Sequence, residues 1–61
     1  MTKYIGCENA KSASAKLVEK GVTTYFRSDL EAQRYIINNR EKKIAWFRKK
    51  NNRWVEMEYW F

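Results

Sequence analysis

The sequence of 61 residues predicts an α+β fold: one small domain with two short helices packed on one face of an antiparallel or mixed sheet that ends in a long C-terminal β-hairpin. Three observations carry that expectation. Ser28-Asp29-Leu30-Glu31 has the pattern of a capping box and opens an apolar stripe at helical spacing. Residues 42–50 and 53–61 are two β-prone stretches on either side of Asn51-Asn52. Every residue from Val22 to Phe26 is β-branched or aromatic. A hydrophobic content of 44%, with 16% aromatic, supplies enough apolar area for a compact core despite 33% charged residues.

Taken in chain order, Tyr4 and Ile5 suggest a short strand over 3–7, weakened by Gly6. Residues 9–20 read as a first helix, because Ala10, Ala13, Ser14 and Leu17 fall at i, i+3, i+4 and i+7 and Gly21 stands where a helix ends. A strand over 22–27 follows. The second helix spans 29–38: Ala32, Tyr35 and Ile36 share a face, Ser28 is expected to accept the amide proton of Glu31, and Asn38 and Asn39 tolerate the left-handed conformation that closes a helix. The hairpin then occupies 42–50 and 53–61. A two-residue type I′ turn at Asn51-Asn52 pairs Lys50 with Arg53, Lys49 with Trp54, Arg48 with Val55, Phe47 with Glu56 and Trp46 with Met57. Sliding the register by one residue would bury Glu56 and Glu58, which is expensive. Ile44, Trp46, Val55, Met57, Tyr59 and Phe61 are therefore expected to face the helices, and Phe47, Trp54 and Trp60 to point away from them.

Composition excludes more functions than it suggests. The chain has no histidine, so the usual neutral-pH base and the commonest zinc ligand are both missing, and Cys7 stands alone. No enzyme activity, metal or cofactor is expected, and a single cysteine fits a reducing cytoplasmic setting better than a disulfide framework. The longest apolar run, Ile44-Ala45-Trp46-Phe47, falls far short of the roughly 20 residues that span a bilayer, and no secretory segment opens the chain. No membrane partner is expected.

The charge points to a partner. Residues 40–53 contain Arg40, Lys42, Lys43, Arg48, Lys49, Lys50 and Arg53 against Glu41 alone, which accounts for the whole net charge of +6. The favoured expectation is a small basic nucleic-acid-binding accessory or regulatory protein, DNA or RNA. Lys43, Arg48, Lys49, Lys50 and Arg53 would contact phosphates, and Phe47, Trp54 and Trp60 would stack on unpaired bases. The alternative is a protein-interaction module, an adaptor or inhibitor that docks the same residues on an acidic surface of a larger protein, as small accessory proteins of phages and mobile elements do. Homodimerisation through the outer hairpin face is compatible with both, since it would enlarge a core of which a domain this size has little.

Overall fold

The computed structural model describes residues 1–58, and in it the chain forms β1 (Thr2–Ile5), a single 3₁₀ turn (Ala10–Ser12), β2 (Ala15–Glu19), β3 (Val22–Phe26), α1 (Asp29–Asn38), β4 (Ala45–Lys50) and β5 (Arg53–Met57). The five strands make one mixed sheet in the order β1-β3-β2-β4-β5. β1 runs parallel to β3, and the other three pairings are antiparallel. β3 and β4 therefore run the same way with β2 between them. The helix that joins them crosses above β2 and packs on β2 and β3. The fold is α+β as expected, with one helix where two were expected.

The first expected helix, 9–20, is replaced by the 3₁₀ turn and β2. Asn9 caps only that one turn: its side chain accepts the Ser12 amide, while the Ser12 hydroxyl accepts the amide of Asn9. Ala13 is already extended. Beyond it the chain alternates, so that Ala15 and Leu17 are buried under α1 while Lys16 and Val18 sit on the other face. Gly21 does not end a helix. With Lys20 it forms the two-residue turn between β2 and β3, at φ 48° for Lys20 and 79° for Gly21, which leaves Glu19 opposite Val22.

The expected second helix matches α1, but its ends are built differently. Ser28 accepts the amide of Leu30 at 3.2 Å, in place of the expected bond from Glu31. At the other end Asn39 stays at φ −133°, and its side-chain amide donates to the Tyr35 carbonyl at 2.8 Å. A side-chain bond to a carbonyl left over at the helix end takes the role assigned to a left-handed residue. The N-terminal strand covers 2–5 in place of 3–7, because Gly6 turns the chain at φ +74°. The strand expected at 22–27 covers 22–26.

The core lies between α1 and the sheet and comprises Ala15, Leu17, Phe26, Ala32, Ile36, Ile44 and Trp46, with Met57 packed against it. Ala15 in a central strand and Ala32 in the helix are both fully buried and carry the smallest apolar side chains, which lets helix and sheet approach closely. Trp46 is the largest contributor, and its polar edge is also accounted for: the indole N–H donates to Asp29 Oδ1 at 3.0 Å. Asp29, in the first turn of α1, accepts as well from the Gln33 side chain and lies 3.4 Å from the Arg48 guanidinium. One carboxylate thus fixes the start of the helix to the middle of β4.

Candidate functional site

The β4-β5 hairpin has the register expected from the sequence, from Lys50 opposite Arg53 to Trp46 opposite Met57. Asn51 and Asn52, at φ 52° and 62°, make the two-residue turn that sets it. β4 begins at Ala45 and not at residue 42, and β5 is described as far as Met57. Ile44 and Trp46 are buried on the helix side, while Val55 shares their side but is 41% exposed. Tyr59, Trp60 and Phe61 lie outside the described residues.

The face without the helix carries one row of side chains across all five strands. Pairwise register places Tyr4 beside Tyr25, Tyr25 beside Lys16, Lys16 beside Phe47 and Phe47 beside Glu56. Tyr4 and Tyr25 stack with centroids 5.3 Å apart and planes 11° from parallel. Trp54, one row away on β5, leans inward until its ring is 5.9 Å from that of Tyr25. The Lys16 ammonium lies 4.9 Å from both the Phe47 and the Trp54 ring, and Lys49 lies 5.1 Å from Trp54. Each such contact is worth about 0.5–1 kcal/mol where it is exposed. Trp54 therefore lies along the sheet and half-covers it, where the sequence suggested a ring directed wholly outward.

The structure divides the basic segment. Arg40, Lys42 and Lys43 precede β4, whereas Arg48, Lys49, Lys50 and Arg53 gather at its far end, about 20 Å away along a six-residue strand. Of the expected site residues, Phe47, Lys49 and Trp54 meet on the helix-free face. Lys50 and Arg53 stand opposite each other at the turn, both exposed. Arg48 points to the helix side, where Asp29 engages it, and Lys43 is at the other end of the strand. Lys49 is largely structural: its ammonium donates to the carbonyls of Ala10 and Lys11 at 2.8 and 2.9 Å, clamping the 3₁₀ turn to the hairpin. Lys42 is 3.8 Å from Glu19.

Sequence reasoning missed Tyr4, Tyr25 and Lys16. The alternation Ala15-Lys16-Leu17-Val18, followed by a two-residue Lys20-Gly21 turn into an evident strand, is the signal that would have found Lys16. Arg48, Lys49, Lys50, Val55 and Met57 line a shallow depression of about 240 Å³ on the hairpin, mostly from its helix side and next to the Asp29-Arg48 contact. Among the described residues no group of three or more His, Cys, Asp or Glu is placed to hold a metal ion, and no helix is long and apolar enough to cross a membrane. Comparison with protein-family models, with curated proteins and with solved structures finds no match to this chain.

Proposed function

We propose that the protein binds single-stranded stretches of nucleic acid, with Lys50 and Arg53 at the hairpin turn on phosphates and the helix-free face receiving bases. The observation that carries this reading is the direct opposition of exposed Lys50 and Arg53 on the helix side of the hairpin turn, next in the chain to Lys49 and Trp54 on the aromatic side, so that a strand crossing the turn would meet both. Like charges placed opposite one another cost a hairpin stability, so the arrangement favours something other than the fold. A polyanion recovers that cost through counterion release. Tyr4, 47% exposed at the edge of the sheet, presents the outer side of a stacked pair to a base. Glu56 closes the row at the β5 end, so the path of a strand runs along Tyr4, Tyr25 and Trp54 toward the turn.

Fluorescence anisotropy with labelled single-stranded DNA and RNA, and with duplexes, over a range of salt concentrations tests the reading. The single strands bind more tightly than the duplexes. The joint substitution Lys50→Gln and Arg53→Gln lowers the slope of log affinity against log salt by about 1.4, at about 0.7 for each single-strand phosphate contact. Tyr4→Ala weakens binding by about 1–3 kcal/mol for a lost stacked base and leaves the slope unchanged. Absence of binding at low salt, where the electrostatic attraction is strongest, refutes the proposal.

The depression on the helix side favours a second reading, docking of an acidic protein surface against Arg48 and Lys50 with an apolar side chain on Val55 and Met57. Partners that are recovered from a cell extract after nuclease treatment, and lost with Lys50→Glu, would favour it over the first.

A further inference from the structure

β5 is a terminal strand of the sheet, and two devices that commonly guard an edge, a proline and a bulge, are absent from it. It contains no proline, its register with β4 runs without a bulge over all five residues, and Val55 at its centre is 41% exposed. Its charge is also arranged lengthwise. Arg53 opens the strand across the Asn51-Asn52 turn from Lys49 and Lys50, and Glu56 near its end and Glu58 just beyond it are acidic.

We infer that β5 pairs antiparallel with β5 of a second copy of this chain, about a two-fold axis at Val55, to give one continuous ten-stranded sheet. Antiparallel self-pairing sets the basic start of each strand against the acidic end of the other; parallel pairing would set Arg53 against Arg53. Side chains opposite each other across an antiparallel pair share a face, so only three axes fall within the strand core: at Trp54, Val55 or Glu56. An axis at Glu56 opposes two glutamates. An axis at Trp54 pairs only the first three residues of β5 with one another. The axis at Val55 uses every residue of the strand: Arg53 opposes Met57, Trp54 opposes Glu56, and Val55 opposes itself.

The hydrogen-bonding parity of the hairpin agrees. A two-residue turn directs the main-chain groups of Arg53, Val55 and Met57 toward β4, which leaves those of Trp54 and Glu56 directed outward. Those are the residues that the Val55 axis brings together, for about four main-chain hydrogen bonds between the copies. The two exposed Val55 side chains meet at the closer, non-hydrogen-bonded spacing and cover each other. A five-residue edge buries less than the roughly 1,000 Å² of a stable interface, so the dimer is weak, with Kd on the order of 0.1 mM. The pairing does not depend on what the helix-free face binds.

Sedimentation velocity in moderate salt, with the protein raised from about 10 µM to about 1 mM so as to bracket that Kd, tests the inference. The wild-type sedimentation coefficient rises with concentration. Val55→Asp, which places two carboxylates on the axis while giving Arg48 a favourable cross-strand neighbour within its own chain, stays monomeric, and so does Val55→Lys. An equimolar mixture of the two variants recovers the dimer, because their charges are complementary at that one point. Near-ultraviolet circular dichroism of each variant alone reports its fold. In the wild type, amide exchange at Trp54 and Glu56 slows as concentration rises. A sedimentation coefficient that is flat to about 1 mM, a dimer that survives folded Val55→Asp, or self-association without added protection at Trp54 and Glu56 would each overturn the inference.

Discussion

Lys49 and Lys50 are consecutive lysines of one basic strand end, yet the structure assigns them opposite effects on stability. Lys49 is half-buried, with its ammonium on two main-chain carbonyls nearly forty residues away in sequence and against the Trp54 ring. Hydrogen bonds to a charged group contribute about 1.5–3 kcal/mol each, but one ammonium shared between two acceptors does not give twice that. Ordering a lysine side chain costs up to about 2 kcal/mol, and the cation–π contact returns about 0.5–1 kcal/mol. Lys49→Met, which keeps the apolar stem on Trp54, is therefore expected to destabilise by about 2 kcal/mol. A 61-residue domain has about 3–9 kcal/mol in total, so this is a large fraction. Lys50→Ala instead relieves repulsion with Arg53 and leaves stability unchanged or raised by up to about 1 kcal/mol. Urea unfolding followed by tryptophan fluorescence separates them. At about 1 kcal/mol per molar urea, the Lys49 variant shifts the midpoint down by about 2 M and the Lys50 variant does not lower it. Equal midpoints for the two variants would refute the division of the basic end into a structural lysine and an available one.

Two further substitutions test the core and the turn that ends β1. Trp46→Ala removes the largest core side chain and costs about 3–5 kcal/mol, most of the stability of the domain; amide chemical-shift dispersion collapses and urea no longer gives a cooperative transition. Gly6→Ala meets both an unfavourable φ of +74° and the Arg27 Cβ at 3.2 Å, so it costs about 1–2 kcal/mol. At about 4–8 °C per kcal/mol for a domain this size, its thermal midpoint falls by roughly 5–15 °C.

The hairpin and α1 were legible in the sequence because their signals are local and redundant. At Asn51-Asn52 the turn residues set the register, and the cost of burying Glu56 and Glu58 selects the same faces independently. At Ser28 the cap and the apolar stripe agree on where a helix begins, even though the hydroxyl takes the amide one residue earlier than expected. The fine structure of the charged end was not legible. Consecutive basic residues look alike in sequence, while alternation along β4 sends Arg48 to Asp29 and Lys49 to the 3₁₀ turn. Which cation is already engaged depends on contacts from Ala10, Lys11 and Asp29, all remote in sequence.

The misread segment, residues 9–20, shows how one local error propagates to a candidate binding surface. Alanine-rich spacing at i, i+3 and i+4 suits a helix, but Ala13, Ala15 and Leu17 suit a strand equally once only every second residue must be buried. Tertiary context decides, because β3 as a lone strand beside β1 would lack an antiparallel neighbour, and Lys20-Gly21 is the shortest connection that supplies one. Turning that segment from helix into central strand changes the layer count. Two helices over a narrower sheet could cover most of one face, whereas one ten-residue helix over five strands packs mainly on β2 and β3, reaches the Trp46 side of β4, and leaves the outer flank of the hairpin and the opposite face to side chains of the sheet itself. The aromatic row follows from that geometry. Tyr4, Tyr25, Phe47 and Trp54 gather around Lys16 because no helix among the described residues covers the opposite face, and the rings that stabilise it are also the rings a partner would meet. The proposed binding would therefore be coupled to stability on this face, whereas Lys50 and Arg53, exposed on the helix side of the turn, offer positions where it can be removed without weakening the fold.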